Sequence, residues 1–281
     1  MKNFLPFIAV ALFSVSIFAD ASADAYFNRG NAAFNSGNFD EAIANYSQAI
    51  RISPNNASVH ANRGLAYSAK GDLERAIADY SQAIRIDPNH ANAYRNRGIA
   101  YRARGDFDRA IADFSQAIRI NPDFAAAYVD RGIAHHEKGD FDRAITDFSQ
   151  MIRIDPNHAE VYFNRGLAYS AKGDLDRAIA DYDQAIRINP NFVNAYNNRG
   201  NAHRTNGNLE RAIADYSQVI RMDPNHISAY FNRGNAYGDK GDFERAVADF
   251  ETVLRIDPNH PQSTQLRHVI DQLRQESESD R

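Results

Sequence analysis

Apolar residues recur at three- and four-residue spacings over a stretch that follows a Gly-Asp pair. Its apolar positions are Leu73, Ala76, Ile77, Tyr80, Ala83 and Ile84. This spacing places the side chains on one face of an α-helix. Asp72 is a good N-cap for that helix, Gly71 suits a left-handed stop of the helix before it, and Pro88 cannot continue it. An earlier stretch with Val59 and Ala66 predicts the preceding helix, so the pattern indicates a helical hairpin.

The hairpin pattern recurs every 34 residues without insertions. Residues 71–80 reappear, with small changes, at 105–114, 139–148 and 173–182. The aligned units are 23–56, 57–90, 91–124, 125–158, 159–192, 193–226 and 227–260. A single hairpin cannot bury its apolar face, so neighbouring units must stack and the end units need polar covers.

The segment 261–281 has the pattern of such a cover. Leu266, Val269, Ile270 and Leu273 form one apolar stripe, and most other residues are polar. We therefore expect a C-terminal capping helix over residues 261–275. The remaining tail, Glu276 to Arg281, is rich in charged residues and serines and is predicted to be disordered.

The repeat resembles the tetratricopeptide repeat (TPR), a 34-residue helix–turn–helix unit with the pattern W-x2-L-G-x2-Y…A-x3-F…P. The second unit matches with Gly64, Tyr67, Ala76, Tyr80 and Pro88. The third matches with Tyr94, Gly98, Tyr101, Ala110, Phe114 and Pro122, and the seventh with Tyr230, Gly234, Tyr237, Ala246, Phe250 and Pro258. The resemblance implies an all-α fold: a right-handed α-solenoid superhelix of seven repeats plus a capping helix. It also implies a non-catalytic module that binds other proteins.

The chain departs from the family pattern at two positions. The Trp position holds Tyr in six units and His60 in the second, and the Leu position holds Arg in all seven units. This helps to explain why 27 of the 32 basic residues are Arg. A partly buried guanidinium needs a carboxylate, and an Asp recurs just before the aromatic residue of each second helix except in the first unit, which has Asn45. The predicted ion pairs are Arg63 with Asp79, Arg97 with Asp113, Arg131 with Asp147, Arg165 with Asp181, Arg199 with Asp215, and Arg233 with Asp249. The first Arg is Arg29. The alternative is that the seven arginines are solvated charges without such partners.

A second series lies two residues before each helix glycine. It reads Asn28, Asn62, Asn96, Asp130, Asn164, Asn198 and Asn232. The family resemblance implies that this position points into a concave groove formed by the first helices. An Asn side chain carries a donor and an acceptor, as a peptide bond does, so a row of them could hold an extended polypeptide by its backbone. The alternative is that these side chains bond to the neighbouring hairpin.

Selectivity would arise where the units differ. Phe163 and Phe231 offer apolar contacts, Arg95 and Arg102 form a basic spot in the third unit, and Asp130 interrupts the Asn series in the fourth. A partner segment with apolar side chains and an acidic group near the third unit would fit this surface. An alternative function is a structural scaffold of an envelope or secretion assembly that uses convex or terminal surfaces. A third is an auxiliary subunit of an enzyme.

The N-terminal segment 1–22 differs from the repeats. Lys2 precedes an apolar run from Phe4 to Phe18, and two small-x-small sites follow, ending at Ala21 and Ala23. This is typical of a secretory signal peptide, although an uncleaved anchor is an alternative. We expect export to a periplasmic or extracellular space, without stable membrane insertion after cleavage.

The sequence shows no catalytic or cofactor motif. There is no Cys, no glycine-rich phosphate loop and no H-E-x-x-H, and the nine His residues are scattered. The net charge of −4 does not suggest a nucleic-acid partner. We expect no enzyme activity, no metal and no cofactor, and one or more protein partners.

Overall fold

The structure is a computed structural model that describes residues 22–279. The predicted signal peptide therefore lies outside the described residues, except for Ser22. All regular secondary structure in the described part is helical. The first helix of each hairpin begins 34 residues after that of the hairpin before it. The chain forms two compact units, which meet in sequence at Pro88 and Asn89.

The first unit holds hairpins 1 and 2. Its helices are α1 (Ala23–Asn35), α2 (Phe39–Ile52), α3 (Ala57–Ala69) and α4 (Leu73–Ile86). Helix α2 packs against both α1 and α3, and α3 packs against α4. The core at this junction contains Tyr46, Ala49 and Val59, all nearly inaccessible to solvent.

The second unit holds hairpins 3 to 7 and one further helix. Its helices are α5 (Ala91–Ala103), α6 (Phe107–Ile120), α7 (Ala125–Glu137), α8 (Phe141–Ile154), α9 (Ala159–Ala171), α10 (Leu175–Ile188), α11 (Val193–Thr205), α12 (Leu209–Met222), α13 (Ile227–Asp239), α14 (Phe243–Ile256) and α15 (Ser263–Ser279). Each helix packs against the next in the chain, and the first helices of consecutive hairpins also touch. Within each unit, the hairpins therefore stack side by side.

The turn inside a hairpin follows from its Gly-Asp pair. Gly71 has a φ of 78°, in the left-handed region where an L side chain is strained. The side chain of Asp72 then accepts a hydrogen bond from the backbone N–H of Arg75, as an N-cap does. The two residues together stop one helix and start the next, as the sequence predicts.

Close approach of the two helices depends on a glycine in the middle of each first helix. A Cβ added to Gly166 would lie 2.7 Å from Cε1 of Tyr182, closer than two carbon atoms pack. The second helix contributes the small residues Ala178 and Ala185, both fully buried. In the core of a hairpin, one aromatic ring of the second helix therefore packs directly against the backbone of the first helix.

The terminal helix α15 covers hairpin 7. Leu266 and Ile270 are buried against α14, as expected for a cap. The expectation of a disordered tail from Glu276 is wrong as far as Ser279, because the helix continues to that residue. The segment after Gln275 contains no Gly or Pro to stop it, and its polar residues are compatible with an exposed helix. No helix in the described part of the chain is long and apolar enough to span a membrane.

Candidate functional site: two side-chain series on the stacked hairpins

The Arg of each first helix from hairpin 2 to hairpin 7 contacts the Asp predicted for it. Arg165 donates from Nε and Nη2 to the two oxygens of Asp181 at 2.8 and 2.7 Å. The side chain of Arg165 is 19% exposed and that of Asp181 is 7% exposed. The same two-bond contact joins Arg63 to Asp79, Arg97 to Asp113, Arg131 to Asp147, Arg199 to Asp215 and Arg233 to Asp249. We call these six pairs the seam.

The seam also joins neighbouring hairpins, which the sequence analysis did not predict. Nη1 of Arg165 donates to the hydroxyl of Ser149, 2.9 Å away in the hairpin before it. Ser115 has the same role toward Arg131, whereas Asp183 takes that position opposite Arg199, at 2.5 Å. The sequence did contain a signal for this contact. The residue that accepts the bond follows the aromatic residue of a second helix, and it lies sixteen positions before the Arg of the next first helix.

Hydrogen bonds within the seam favour the charged forms of its side chains. The hydrogen bond that Arg165 donates to Asp181 raises the pKa of Arg165 against the opposing effect of burial. Burial alone would raise the pKa of Asp79, but the hydrogen bonds from Arg63 outweigh it and leave that pKa below its usual value. The pKa of Arg63 is raised as well, so both members of this pair stay ionised at neutral pH, as a buried ion pair requires.

A tyrosine ring extends the seam toward the end of the first helix in hairpins 2, 3, 5 and 7. The Cζ atom of Arg165 lies 6.0 Å from the ring centroid of Tyr169, and that of Arg177 lies 4.6 Å from it. Such stacking contributes about 0.5–1 kcal/mol at exposed sites. Hairpins 4 and 6 have His135 and His203 at this position, and both side chains are buried.

Hairpin 1 does not contribute an Arg–Asp pair to the seam. Arg29 is exposed and contacts the ring of Tyr26 at 5.6 Å. The amide of Asn45, which replaces the Asp, donates to the backbone carbonyl of Glu41. A neutral amide makes no ion pair with the guanidinium, so the first hairpin is the exception in the described chain.

The Asn series of the first unit is partly used by the fold itself. Asn62 donates from Nδ2 to Oδ1 of Asn31 at 3.0 Å, and the hydroxyl of Tyr46 donates to the same oxygen at 2.8 Å. Asn28 is exposed. For Asn62 the alternative left open by the sequence, a bond to the neighbouring hairpin, is what the structure shows.

The second unit contains both kinds of Asn. Asn232 donates to Oδ1 of Asn201 at 3.2 Å in the preceding hairpin, and Asn198 donates to the carbonyl of Asn194 in its own helix. Asn96 and Asn164 are half-buried, and among the described residues they make no side-chain hydrogen bond. Two amides of this unit are thus available to a partner. We call the surface around the residue two before each helix glycine, taken within each unit separately, the ladder face.

The charged part of the ladder face is paired within the chain. Nε of Arg95 lies 2.6 Å from Oδ2 of Asp130, and Nη1 of Arg102 lies 3.7 Å from Oε1 of Glu137. Burial raises the pKa of Asp130 even though Arg95 acts to lower it. The sequence analysis predicted that Arg95 and Arg102 attract an acidic group of the partner. That prediction is corrected, because the acidic groups beside both arginines are residues of the next hairpin.

The two predicted apolar contacts are half-buried. Phe163 packs against the rings of Tyr182 and Phe192, with centroids 5.8 and 5.0 Å away. Phe231 packs against Phe250 at 6.0 Å. Each ring thus has one side in the core and leaves part of its surface for a partner. In the part of the chain that the structure describes, no three His, Asp or Glu residues are placed to hold a metal ion.

Comparison with known families gives matches along most of the repeats. A family described as TPR repeat matches residues 30–71 and 66–101. Four further families, each described as tetratricopeptide repeat, match residues 95–159, 159–192, 181–214 and 200–271. No curated protein matches the chain.

Solved structures include similar stacks of helices. MamA is 29% identical, with a TM-score of 0.56, over 59% of this chain and 91% of that one. The C-terminal part of a TPR repeat-containing protein from Cytophaga hutchinsonii has a TM-score of 0.72 at 18% identity, covering 85% and 98% of the two chains. YrrB, described as a TPR protein with an unusual peptide-binding site, has a TM-score of 0.58 at 23% identity, covering 66% and 95%. The last two similarities concern the fold alone.

Proposed function

Because the chain belongs to the tetratricopeptide-repeat family, we propose that it is a non-catalytic protein-binding module whose ladder face holds an extended segment of a partner protein. The observation that carries this proposal is the pair of half-buried amides of Asn96 and Asn164, which have no hydrogen bond within the described chain. A half-buried amide without a partner is costly unless water or a ligand satisfies it. A peptide backbone supplies both the donor and the acceptor that an Asn needs.

The proposal assigns ligand binding to only some of the predicted Asn residues. Asn62 and Asn232 already bond to the hairpin before them, so they stabilise the stack instead of holding a ligand. Asn198 uses one of its amide hydrogens on its own helix. The binding segment would therefore lie along α5 to α11 of the second unit, beside Asn96 and Asn164.

The ion pair on the ladder face limits which side chains the partner segment can place beside it. Arg95 and Asp130 compensate each other at the third and fourth hairpins, so a charged partner side chain would have to displace an existing ion pair there. A segment with uncharged residues at that point fits better. The exposed part of Phe163, on α9, would contact its apolar side chains.

Site-directed photo-crosslinking tests the proposal while the partner is still unidentified. A benzophenone amino acid placed at Glu160, one helical turn before Asn164 and exposed, keeps the amide intact. We expect adducts with one short, contiguous segment of a single partner, identified by mass spectrometry. The matched control has the same probe at Ala180, which is exposed on the second helix α10 of the same hairpin.

The control also separates the alternative function, a scaffold of an envelope or secretion assembly. A scaffold that uses the outer surface would give adducts at Ala180 and none at Glu160. Adducts at Glu160 that disappear when Asn96 and Asn164 are both changed to Ala would support the ladder face. Persistence of the same adducts after that change would contradict it.

We also propose that the protein is exported, on the basis of the apolar run from Phe4 to Phe18 and the small-residue sites that follow. Mass measurement of the mature protein tests this. Export predicts a chain that begins after Ala21 or Ala23. An intact Met1 in the mature protein would contradict cleavage.

A further inference from the structure

The histidine of hairpin 4 replaces a tyrosine that fills space elsewhere. In hairpin 5, the ring of Tyr169 lies between Arg165 and Arg177. In hairpin 4 the corresponding residues are His135, Arg131 and Arg143. An imidazole is smaller than a phenol, so the replacement leaves room beside the two arginines.

That room is a cavity of about 330 Å³ between α6, α7 and α8. Its polar lining consists of Ser115, Arg131, His135, Arg143, Thr146 and Asp147. Both hydroxyls are occupied as donors, because Ser115 donates to the carbonyl of Ile111 and Thr146 to that of Asp142. Every nitrogen of Arg131 already donates to Asp147 or Ser115, so the hydrogen-bond donors that remain for a ligand are the nitrogens of Arg143 and His135.

The imidazole of His135 lacks the partner that a buried ring normally has. The residue is 5% exposed, and its Nδ1 atom is buried without a hydrogen bond. The nearest carboxylate oxygen, on Asp140, lies 4.0 Å from Nδ1, beyond hydrogen-bond distance. Nothing thus fixes the tautomer, and because Nδ1 is buried, Nε2 is the nitrogen that can donate its proton to a ligand.

Arg143 is also held more loosely than its counterparts. Its Nη1 lies 3.2 Å from Asp140, whereas Arg177 of hairpin 5 bonds to Asp174 through Nε at 2.6 Å and stacks on a tyrosine. With 72% of its side chain exposed, Arg143 can turn into the cavity. Asp147 does not oppose an anion strongly, because both of its oxygens are bound by Arg131.

We propose that this cavity binds a small oxyanion, a phosphate or a carboxylate, between the guanidinium of Arg143 and the imidazole of His135. A guanidinium presents paired N–H groups that match two oxygens of such a group. The histidine N–H supplies a further donor.

Hairpin 6 provides an internal control. His203 lies at the same position and its Nδ1 atom is likewise buried without a partner. There, however, Asp183 takes the place of Ser115, with its Oδ1 2.5 Å from Nη1 of Arg199. The additional carboxylate would repel an anion, so hairpin 6 is expected to bind none.

Titration of the full chain with inorganic phosphate, followed by ¹⁵N NMR of the histidine rings at constant ionic strength, tests the proposal. We expect saturable shifts of the His135 resonances and none of the His203 resonances. His135→Tyr restores the residue found in four other hairpins, so it should fold normally and lose binding. Arg143→Gln should weaken binding about tenfold, the effect of one charge-assisted hydrogen bond. His203→Tyr should leave the affinity unchanged.

A parallel titration with acetate distinguishes the two kinds of oxyanion. Saturation by phosphate alone assigns a phosphate-type ligand, and saturation by acetate alone assigns a carboxylate. No saturable shift of His135 with either probe would overturn the proposal. Equal affinities for the original chain, His135→Tyr and Arg143→Gln would also overturn it, because the observed shifts would then come from another site.

Discussion

The seam and the ladder face lie on the same first helices but differ in how strictly they repeat. From hairpin 2 to hairpin 7 the seam has the same Arg, the same Asp and the same pair of hydrogen bonds. The ladder face has an amide bonded to its neighbour at Asn62, an ion pair at Asp130 and an unbonded amide at Asn164. A contact that stabilises six stacked hairpins in the same way is expected to stay constant, whereas a surface that binds a specific partner is expected to vary.

The largest expected effect comes from breaking one seam pair. Asp181→Ala leaves the guanidinium of Arg165 largely buried without its carboxylate, and we expect a loss of about 3 kcal/mol. Native-state hydrogen exchange of the α9 and α10 amides measures this loss locally. The double variant with Arg165→Ala should cost less than the sum of the single variants.

Arg29→Ala is the matched control for the seam, because hairpin 1 has the exposed arginine without the carboxylate. It should change stability by no more than about 0.5 kcal/mol. Strictly additive losses at Arg165 and Asp181, or an equally large loss at Arg29, would show that the seam does not stabilise the stack.

A second test addresses the close approach of helices beneath the seam. Gly166→Ala places a methyl group 2.7 Å from the ring of Tyr182 and should cost about 1–3 kcal/mol, measured by chemical unfolding. Gly238→Ala is the control, because no atom lies within 4 Å of its added Cβ. There the loss of backbone freedom in the unfolded chain should stabilise the protein by up to about 1 kcal/mol.

A third test divides the ladder face itself. Asn62→Ala removes a part-buried hydrogen bond to Asn31 and should cost about 1 kcal/mol in thermal unfolding. Asn164→Ala removes no hydrogen bond within the described chain and should be neutral or slightly stabilising, since Ala favours the helix. Equal losses for the two variants would remove the distinction between bonded and open amides.

The smallest expected effect is a pH dependence from His135 and His203, two of the buried histidines beside the seam. Burial lowers the pKa of His135 and of His203 below the usual value, so the unfolded chain binds protons more readily there. Their contribution is fully present above about pH 6.5 and is lost as the pH falls through the lower pKa of the folded state. The drop in Tm between pH 7 and pH 5 should be about 1–2 °C smaller in His203→Tyr. An unchanged drop would contradict a neutral, buried imidazole.

The repeated features could be predicted from the sequence, and the varying ones could not. The period of 34 residues, the helix stop at Gly71 and the pairing of Arg165 with Asp181 follow from residue types that recur in register. Whether Asn62 bonds to Asn31 depends on a side chain found after the helix glycine in only some units. The counter-ions of Arg95 and Arg102 lie in the next hairpin, thirty-five residues along the chain. Periodicity within one unit does not reveal such contacts.

The central claim is that a partner segment is held by the ladder-face amides that the fold leaves unbonded. The most direct measurement is the affinity of the crosslinked segment for two double variants, determined by calorimetry beside the unchanged chain. Asn96→Ala with Asn164→Ala should weaken binding about tenfold at unchanged Tm, because two hydrogen bonds to the ligand are lost. Asn62→Ala with Asn232→Ala should lower Tm and change the affinity less than about twofold. The reverse result, or equal weakening by both, would contradict the account.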